Sequence, residues 1–345
     1  MRKVLQQFCR DSFPEFEDIR ITEPESVSEG WESDVYAFDL EHGSPGDEVL
    51  REMILRVYPG NDAYEKSYRE FHGMKKLHSA GYPVPDVFTL SRDQSPLGKP
   101  FMIMERITGQ GMWHVLSSST EERQMQILSE FCELEAGLHS LDWRILEDED
   151  TGRFNDPWCF IDEYLDMGRH FLNSIESAGF KSAMCWLEER RDSVPCGKPC
   201  PVHLDFHPAN VIIRDDGKNF VIDWTQVSVS DLRFDLSWTM LLMSTHMERK
   251  WRDLVLNEYQ KQSGSPVDSI EYFEVFSCVK RLLSIYLSLN AGPESFGMRP
   301  EAAAIMKQQM GATGRVYSTL IELTGTEITE IEDMLERYQP SATHQ

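Results

Sequence analysis

Residues 203–224 read HLDFHPANVIIRDDGKNFVIDW and hold the most informative pattern in the chain. Asp205 and Asn210 lie five residues apart on a polar loop. A turn at 215–219 then separates two apolar runs, the second of which ends in Asp223. The alternation of apolar runs with a turn predicts a short hairpin. We therefore expect three oxygen-bearing side chains to gather in one pocket.

Carboxylate and amide oxygens in this order are suited to phosphoryl transfer. Its transition state spreads negative charge over the phosphoryl oxygens, so the protein has to hold Mg²⁺ against the phosphates and orient an acceptor hydroxyl. Mg²⁺ takes oxygen ligands and keeps several waters, so one carboxylate and one amide from the protein can suffice. The alternative is that Asp205, Asn210 and Asp223 are only turn and cap residues.

The stretch 203–210 resembles the HGDxHxxN catalytic loop of aminoglycoside phosphotransferases and choline-kinase-like enzymes, and residues 222–224 resemble their IDW metal motif. The resemblance implies an α+β, protein-kinase-like two-lobed fold, with a small antiparallel sheet and one helix in the amino-terminal lobe and a larger, mainly helical carboxy-terminal lobe. It also implies that Asp205 is the catalytic base or hydroxyl-orienting residue and that His203 braces the loop. Asn210 and Asp223 would be the Mg²⁺ ligands.

Two further features of this region follow from the same resemblance. Asp231 and Asp235 match the family's DxxxDL segment, where the carboxylates anchor the loop and cap the next helix. Leu204 stands where the family usually has glycine before the catalytic Asp. Because a leucine disfavours a positive φ, we expect the loop backbone to avoid that conformation at this position.

The resemblance places the nucleotide-binding residues in the amino-terminal part of the chain. Gly30 and Ser33 lie in the segment that corresponds to the family's phosphate-covering loop. Arg56 stands where protein kinases have Lys and would pair with the phosphates, while Glu70 is the helix partner expected to hold Arg56. Taken singly, such residues are more often a surface turn and solvated charges.

Residues 102–109 resemble the family's hinge between the lobes. Adenine would lie against Met104 and bond the backbone of Glu105 and Ile107. The implied cofactors are ATP or GTP together with Mg²⁺. The lobes would comprise residues 1–107, which bind the nucleotide, and 108–345, which hold the catalytic loop and the substrate site.

Hydrophobic periodicity predicts the main elements. Strands are expected at 35–38, 53–58 and 101–104, and helices over the first dozen residues and at 63–80. Further helices are expected at 121–141, 156–178, 238–262, 272–289 and 301–323.

Bulk charge and composition restrict the partners. The formal net charge of −24 opposes binding to nucleic acid, which needs a basic surface. An acidic surface would favour a cationic small substrate, and the equally good alternative is that the excess carboxylate only maintains solubility. No apolar run predicts a signal peptide or a membrane span, so we expect a cytoplasmic protein. We expect the seven cysteines to be reduced core residues. Cys196, Cys200 and His203 are not expected to bind zinc, because no second Cys/His pair lies at zinc-ligand spacing.

Residues 53–56, 98–101 and 104–105 most resemble the phosphotransferase-like proteins related to the domain fused to some acyl-CoA dehydrogenases. This lowers the expectation of an aminoglycoside acceptor and leaves the acceptor and the oligomeric state open. The predicted function is ATP- or GTP- and Mg²⁺-dependent phosphorylation of a hydroxyl on a small molecule. The alternative is a nucleotide-binding pseudokinase that acts as a regulatory or scaffold module.

Overall fold

The computed structural model describes residues 1–27, 33–44, 46–92, 95–147, 152–173, 175–293 and 302–338. Among these, the chain forms two compact units. The first contains Met1–Gly111 and Asn210–Val227, and the second contains Met112–Ala209, Ser228–Gly292 and 302–338. The functional lobe boundary between residues 107 and 108 stays a prediction, whereas by compactness the hairpin after Ala209 groups with the first unit.

The first unit is built on an antiparallel sheet with the described strand order β1-β3-β4-β6-β5, in which β2 also pairs with β3. Its strands are β1 Arg20–Ile21, β2 Glu25–Ser26, β3 Asp34–His42, β4 Val49–Val57, β5 Val87–Ser91 and β6 Phe101–Glu105. Helices α1 Arg2–Ser12 and α2 Ala63–Ser79 accompany it. Leu5 and Cys9 of α1 pack with Leu40, Leu55 and Phe101 in one buried cluster, which explains the apolar stripe of α1.

A second antiparallel sheet in this unit has the order β10-β9-β7. Its strands are β7 Gly109–Gly111, β9 Val211–Arg214 and β10 Asn219–Val221. A Cβ atom at Gly109 would lie 2.2 Å from the carbonyl oxygen of Ile213, so only glycine allows β7 to approach β9 this closely.

The second unit is mainly helical. Its helices are α3 Met112–Ser118, α4 Glu121–Ser140, α5 Cys159–Leu172, α6 Ala178–Arg190, α7 Leu232–His246, α8 Trp251–Ser263, α9 Ile270–Ala291, α10 Ala302–Gln308, α11 Met310–Thr324 and α12 Thr329–Tyr338. Strand β8 Cys200–Val202 pairs antiparallel with β11 Ser228–Ser230. Short 3-10 turns occur at Trp143–Ile145, Arg153–Asn155, Arg191–Ser193 and Pro208–Asn210. Fully buried aromatic side chains such as Phe131, Trp251, Tyr259 and Phe273 fill the core between the helices.

The predicted α+β class, with an antiparallel sheet followed by a mainly helical part, is confirmed. The expected single helix at 238–262 is wrong, because α7 ends at His246 and α8 begins at Trp251. The backbone leaves helical geometry at Met247, with φ −107 and ψ −111. Apolar periodicity continues across this break and therefore cannot reveal it. Likewise, the helix expected at 301–323 is divided between α10 and α11.

Four cysteines are buried as predicted, but Cys185 is exposed, which corrects the view that all seven belong to the core. All seven lie in the described ranges and are free thiols. No helix in the described ranges combines the length and the apolar character that crossing a membrane requires.

Candidate functional site

The first unit holds a buried ion-pair cluster centred on Arg56 of β4. Its Nη2 atom lies 2.6 Å from Oδ1 of Asp223, and its Nε atom lies 3.3 Å from Oε2 of Glu70 on α2. Arg56 and Glu70 are almost fully buried, whereas the Asp223 side chain is 35% exposed. The guanidinium thus links a helix carboxylate to the carboxylate that follows the β9–β10 hairpin.

Glu70 is fixed from several directions. Tyr58 Oη donates to its Oε2 at 2.7 Å, and the Trp224 backbone N–H donates to its Oε1 at 3.1 Å. Gly73, one turn further along α2, lets the helix approach the chain after Asp223, since a Cβ there would lie 2.4 Å from Val227 Cγ1. Burial raises the pKa of Glu70 to about 7, and Arg56 offsets that effect only in part.

The hairpin geometry brings the two predicted metal ligands to one end of the β9–β10 ladder. Val211 pairs with Val221, and just beyond them the Ile222 N–H donates to the Asn210 carbonyl at 2.9 Å. Asp223 follows directly with a φ of 66°, a conformation that Asp tolerates better than most residues. One carboxylate and one amide, from residues at the same end of the hairpin, make a donor set that fits Mg²⁺.

Asp205 lies in the second unit, on the loop after β8. The Trp238 indole Nε1–H of α7 donates to Asp205 Oδ1 at 2.7 Å, and His207 Nε2 lies 3.5 Å from the same oxygen. Burial alone would raise the pKa of Asp205, but His207, His203 and Lys280 outweigh it and hold that pKa well below its usual range. At neutral pH the group is therefore a carboxylate that can accept a hydrogen bond.

The loop before Asp205 is held by Asp235 of α7. Its Oδ2 accepts from the His203 N–H at 2.7 Å, and its Oδ1 accepts from the N–H of Leu204. The expected loop-anchoring role of Asp235 is thereby confirmed, and so is that of Asp231 as a helix cap, since its side chain accepts from the Arg233 N–H.

The expectation for Leu204 is wrong: its φ is +62°. A left-handed leucine is strained by roughly 1–2 kcal/mol. The contacts that impose it are the Asp235 carboxylate on its N–H and Lys280 Nζ, which donates to its carbonyl at 3.1 Å. Glycine is therefore replaceable here because surrounding groups fix the backbone on both sides of the residue.

A buried polar network also holds the loop that carries Asp205. His139 Nε2 lies 3.2 Å from Asp235 Oδ2, and His139 Nδ1 lies 2.8 Å from Tyr259 Oη. Thr239 Oγ1 donates to the Phe206 carbonyl at 2.7 Å. The residues on both sides of Asp205 are thus tied to helices of the second unit, which limits the positions that its carboxylate can adopt.

The structure describes all but one of the remaining residues that we predict to contact the nucleotide. Gly30 lies outside the described residues, and Ser33 is buried at the start of the chain leading into β3. Met104 and Ile107 are buried, and Met104 pairs with Ile54 in the sheet. The Glu105 N–H donates to the Asp86 carbonyl at 2.8 Å, so a ligand contact at Glu105 would have to use its carbonyl oxygen.

Three contributors were missed from the sequence: Trp238, Lys280 and Tyr58. Trp238 and Tyr58 occur in apolar helix and strand patterns that predict core positions, Lys280 is a single charge within a helical pattern, and nothing local marks any of them as a partner of the site. Trp238 and Lys280 lie 33 and 76 residues from their partners Asp205 and Leu204. Only the packing of α7 and α9 against the loop reveals them.

Comparison with known proteins adds independent information. The sequence profile of the phosphotransferase enzyme family (APH) matches residues 23–272. The chain is 25% identical over 202 residues to acyl-CoA dehydrogenase family member 10 of Mus musculus, a match that covers 55% of this chain and only 18% of that much longer protein. This relative agrees with the subgroup that the sequence motifs indicate.

Solved structures share the fold. A Ralstonia eutropha protein classed with the aminoglycoside phosphotransferases superposes with a TM-score of 0.67 at 18% identity, covering 94% of this chain and 98% of that one. APH(2")-IIIa in complex with GDP and kanamycin superposes with a TM-score of 0.58 at 13% identity, covering 88% and 97%. Identities this low show the protein-kinase-like fold alone. With the profile matching most of the chain, this protein is a member of the phosphotransferase enzyme family.

Proposed function

We propose that this protein transfers the γ-phosphoryl group of ATP or GTP to a hydroxyl group of a small molecule, with the help of Mg²⁺. The observation that carries the proposal is the 2.6 Å contact between Arg56 and Asp223, buttressed by Glu70. It sets a fixed guanidinium, which suits phosphate oxygens, beside the carboxylate proposed to bind the metal.

Asn210 and Asp223 would hold the Mg²⁺ ion, which neutralises phosphate charge when bound. The guanidinium of Arg56 would bind phosphate oxygens, while Glu70 keeps its plane in place. A purine base would lie along the segment of Met104, Glu105 and Ile107, and backbone groups near Ser33 would cover the phosphates.

Asp205 would orient the acceptor. Because its pKa is held low, the carboxylate is a weak base and is best suited to accept a hydrogen bond from the hydroxyl and direct the oxygen toward the phosphorus. His203 would keep the loop in shape, since its Nδ1 accepts from the Asp205 N–H at 3.3 Å. A cytoplasmic location, where nucleoside triphosphates are abundant, belongs to the same proposal.

The test compares wild-type protein with Asp205→Asn in phosphoryl transfer to a library of hydroxyl compounds, with nucleotide affinity measured alongside. We expect transfer to fall by about a hundredfold or more while nucleotide affinity changes little. Asp192→Asn, which alters an exposed carboxylate in the same unit, is the matched control and should behave as wild type. Equal transfer by wild type and Asp205→Asn would contradict the role of Asp205, and tight nucleotide binding without turnover would favour a nucleotide-binding module.

A further inference from the structure

One buried carboxyl group of the second unit has no part in the site described so far. Glu135 lies on α4 and is completely buried. Its Oε1 lies 3.0 Å from Thr239 Oγ1 on α7, and its Oε2 has no hydrogen-bond partner among the described residues. Such a group calls for a physical explanation, because burying an ionised carboxylate with so few donors is costly.

The number of protons at Thr239 indicates that Glu135 is a neutral acid. Thr239 Oγ1 also lies 2.7 Å from the carbonyl oxygen of Phe206, so the hydroxyl has two oxygen neighbours. A hydroxyl carries one proton, and a backbone carbonyl carries none. When Thr239 donates to the nearer Phe206 carbonyl, the proton between Oγ1 and Oε1 has to come from Glu135. The contacts then form one chain, in which Glu135 donates to Thr239 and Thr239 donates to Phe206.

Two further features favour this proton. The unpartnered Oε2 is then the carbonyl oxygen of a neutral acid, which costs less to bury than an ionised oxygen. Asp235, the other buried carboxyl group here, accepts from the N–H groups of His203 and Leu204 and therefore needs no proton of its own. Burial raises the pKa of Glu135 well above its usual range, Asp235 raises it further, and the Thr239 contact offsets these effects only in part.

The charged and titratable groups around Glu135 offer no substitute for the proton. On α4 itself and on the elements packed against it, they are Cys132, His139, Cys200, Asp235, Glu258, Tyr259 and Lys261. The lysine among them, Lys261, pairs with Glu258 at 2.9 Å. In the described part of the chain, Thr239 is the one hydrogen-bonding partner of the Glu135 side chain.

The far end of this chain of hydrogen bonds holds the residue that follows Asp205. Phe206 is fully buried, its ring packs edge-on against Phe131 of α4 with 5.1 Å between centroids, and its carbonyl accepts from Thr239. That carbonyl belongs to the peptide leading to His207, whose Nε2 lies 3.5 Å from Asp205 Oδ1. A shift of this peptide would therefore move both the loop carboxylate and its histidine neighbour.

We propose that Glu135 is a positioning residue for phosphoryl transfer, and that its proton keeps the Phe206 carbonyl, and with it Asp205, in the arrangement that the reaction needs. The inference rests on the proposed phosphotransferase function and adds a residue to it. When Glu135 is ionised, the Thr239 proton is drawn to the carboxylate, and the Phe206 carbonyl loses its donor. Loss of the proton should therefore loosen the loop and slow the transfer.

Variants of the whole 345-residue chain separate the proton from the side chain that carries it. Glu135→Gln keeps a neutral group with an N–H donor, so we expect kcat within about twofold of wild type. Glu135→Leu fills the space without a donor and should lower kcat about tenfold, with nucleotide affinity unchanged. Thr239→Val should have the same effect, and the double variant should cost no more than either single one, because both residues act in one chain. Glu133→Gln, at an exposed position of α4, is the matched control.

The pH dependence distinguishes a titrating acid from a merely structural side chain. In wild type, kcat should fall toward alkaline pH as Glu135 ionises, and Glu135→Gln should lack that decline. Infrared difference spectra of wild type against Glu135→Gln should contain the C=O band of a protonated carboxyl group. Glu135→Gln should also gain more stability over wild type at about pH 8 than at about pH 5, because only the wild-type chain has to take up a proton on folding.

Hydrogen exchange of the peptide that covers residues 203–210 reports on the loop without any turnover. Exchange there should be faster in Glu135→Leu and Thr239→Val than in wild type, and unchanged in Glu135→Gln and Glu133→Gln. Should Glu135→Leu fail to fold, Thr239→Val compared with Thr239→Ser tests the same chain.

Wild-type exchange together with wild-type kcat in Glu135→Leu, or in Thr239→Val, would overturn the inference, and so would absence of the carboxyl band. Failure of the proposed function has a different signature. It abolishes transfer by wild type and leaves the exchange differences and the carboxyl band in place.

Discussion

Arg56 and Asp223 form an ion pair with 2.6 Å between Nη2 and Oδ1, although 167 residues separate them in the chain. The pair joins β4 to the end of the β9–β10 hairpin, and Glu70 adds a second carboxylate beside Nε of the guanidinium. A single buried cation thus holds two carboxylates, one from α2 and one from the end of the hairpin, close together.

Removing that cation should cost both stability and nucleotide binding. Arg56→Met leaves Glu70 buried beside an apolar side chain, and breaking a buried pair in this way typically costs about 3–5 kcal/mol. Arg56→Lys keeps the charge but loses the planar fork, so we expect smaller destabilisation and roughly tenfold weaker nucleotide binding. Denaturant midpoints and nucleotide titrations measure the two effects. An Arg56→Met protein as stable as wild type would contradict the cluster's structural role.

Glu70 should make stability depend on pH. Its pKa in the folded protein, about 7, lies above the ordinary value of 4.5, so the fold favours the protonated carboxyl. The resulting stabilisation is complete below about pH 4.5 and is lost as the pH rises through 7, with a magnitude of roughly 3 kcal/mol. Glu70→Gln should flatten this dependence between pH 4.5 and 7 in thermal unfolding. Glu65→Gln, at an exposed position of the same helix, should keep the wild-type slope.

Trp238 should influence the pKa of Asp205 through its indole hydrogen bond, without altering the backbone. Trp238→Phe removes the indole N–H donor from the carboxylate and keeps most of the ring volume, so the pKa of Asp205 should rise. We expect kcat/KM to fall about tenfold and the acidic limb of its pH profile to move to higher pH. Trp186→Phe on α6 is the matched substitution away from the loop. An unchanged pH profile in Trp238→Phe would show that the indole bond has no influence on catalysis.

Leu204 provides a test of backbone strain. Leu204→Gly relieves the left-handed conformation but loses side-chain packing, so we expect a stability change within about 1 kcal/mol. Leu204→Val places a β-branched residue at φ +62° and should destabilise by more than about 1 kcal/mol. Denaturant unfolding of the two variants side by side measures the difference. Equal stability of the two would argue against strain at this position.

Much of the fold and of the site could be predicted from sequence. The hairpin with its ladder from Val211 to Val221, the sheet strands and α2 follow from local apolar patterns and turn residues, which act over a few residues. The roles of Asp231 and Asp235 also followed, from the resemblance to the family's DxxxDL segment. The positive φ of Leu204 could not be predicted, because it depends on contacts with Asp235 and Lys280, which are distant in the sequence. The break between α7 and α8 could not be predicted either, because the apolar periodicity continues across it.

The sequence by itself determined the order and spacing of the oxygen-bearing side chains, the antiparallel sheet and the family, because these depend on local patterns. Tertiary structure alone decided that Arg56 joins Glu70 to Asp223, that Trp238 donates to Asp205, and that Lys280 donates to the carbonyl of the neighbouring Leu204. The reason is physical. Ion pairs and pKa shifts arise between groups that folding brings within a few ångströms of each other. Neither the total charge nor the distance along the sequence shows which groups these are.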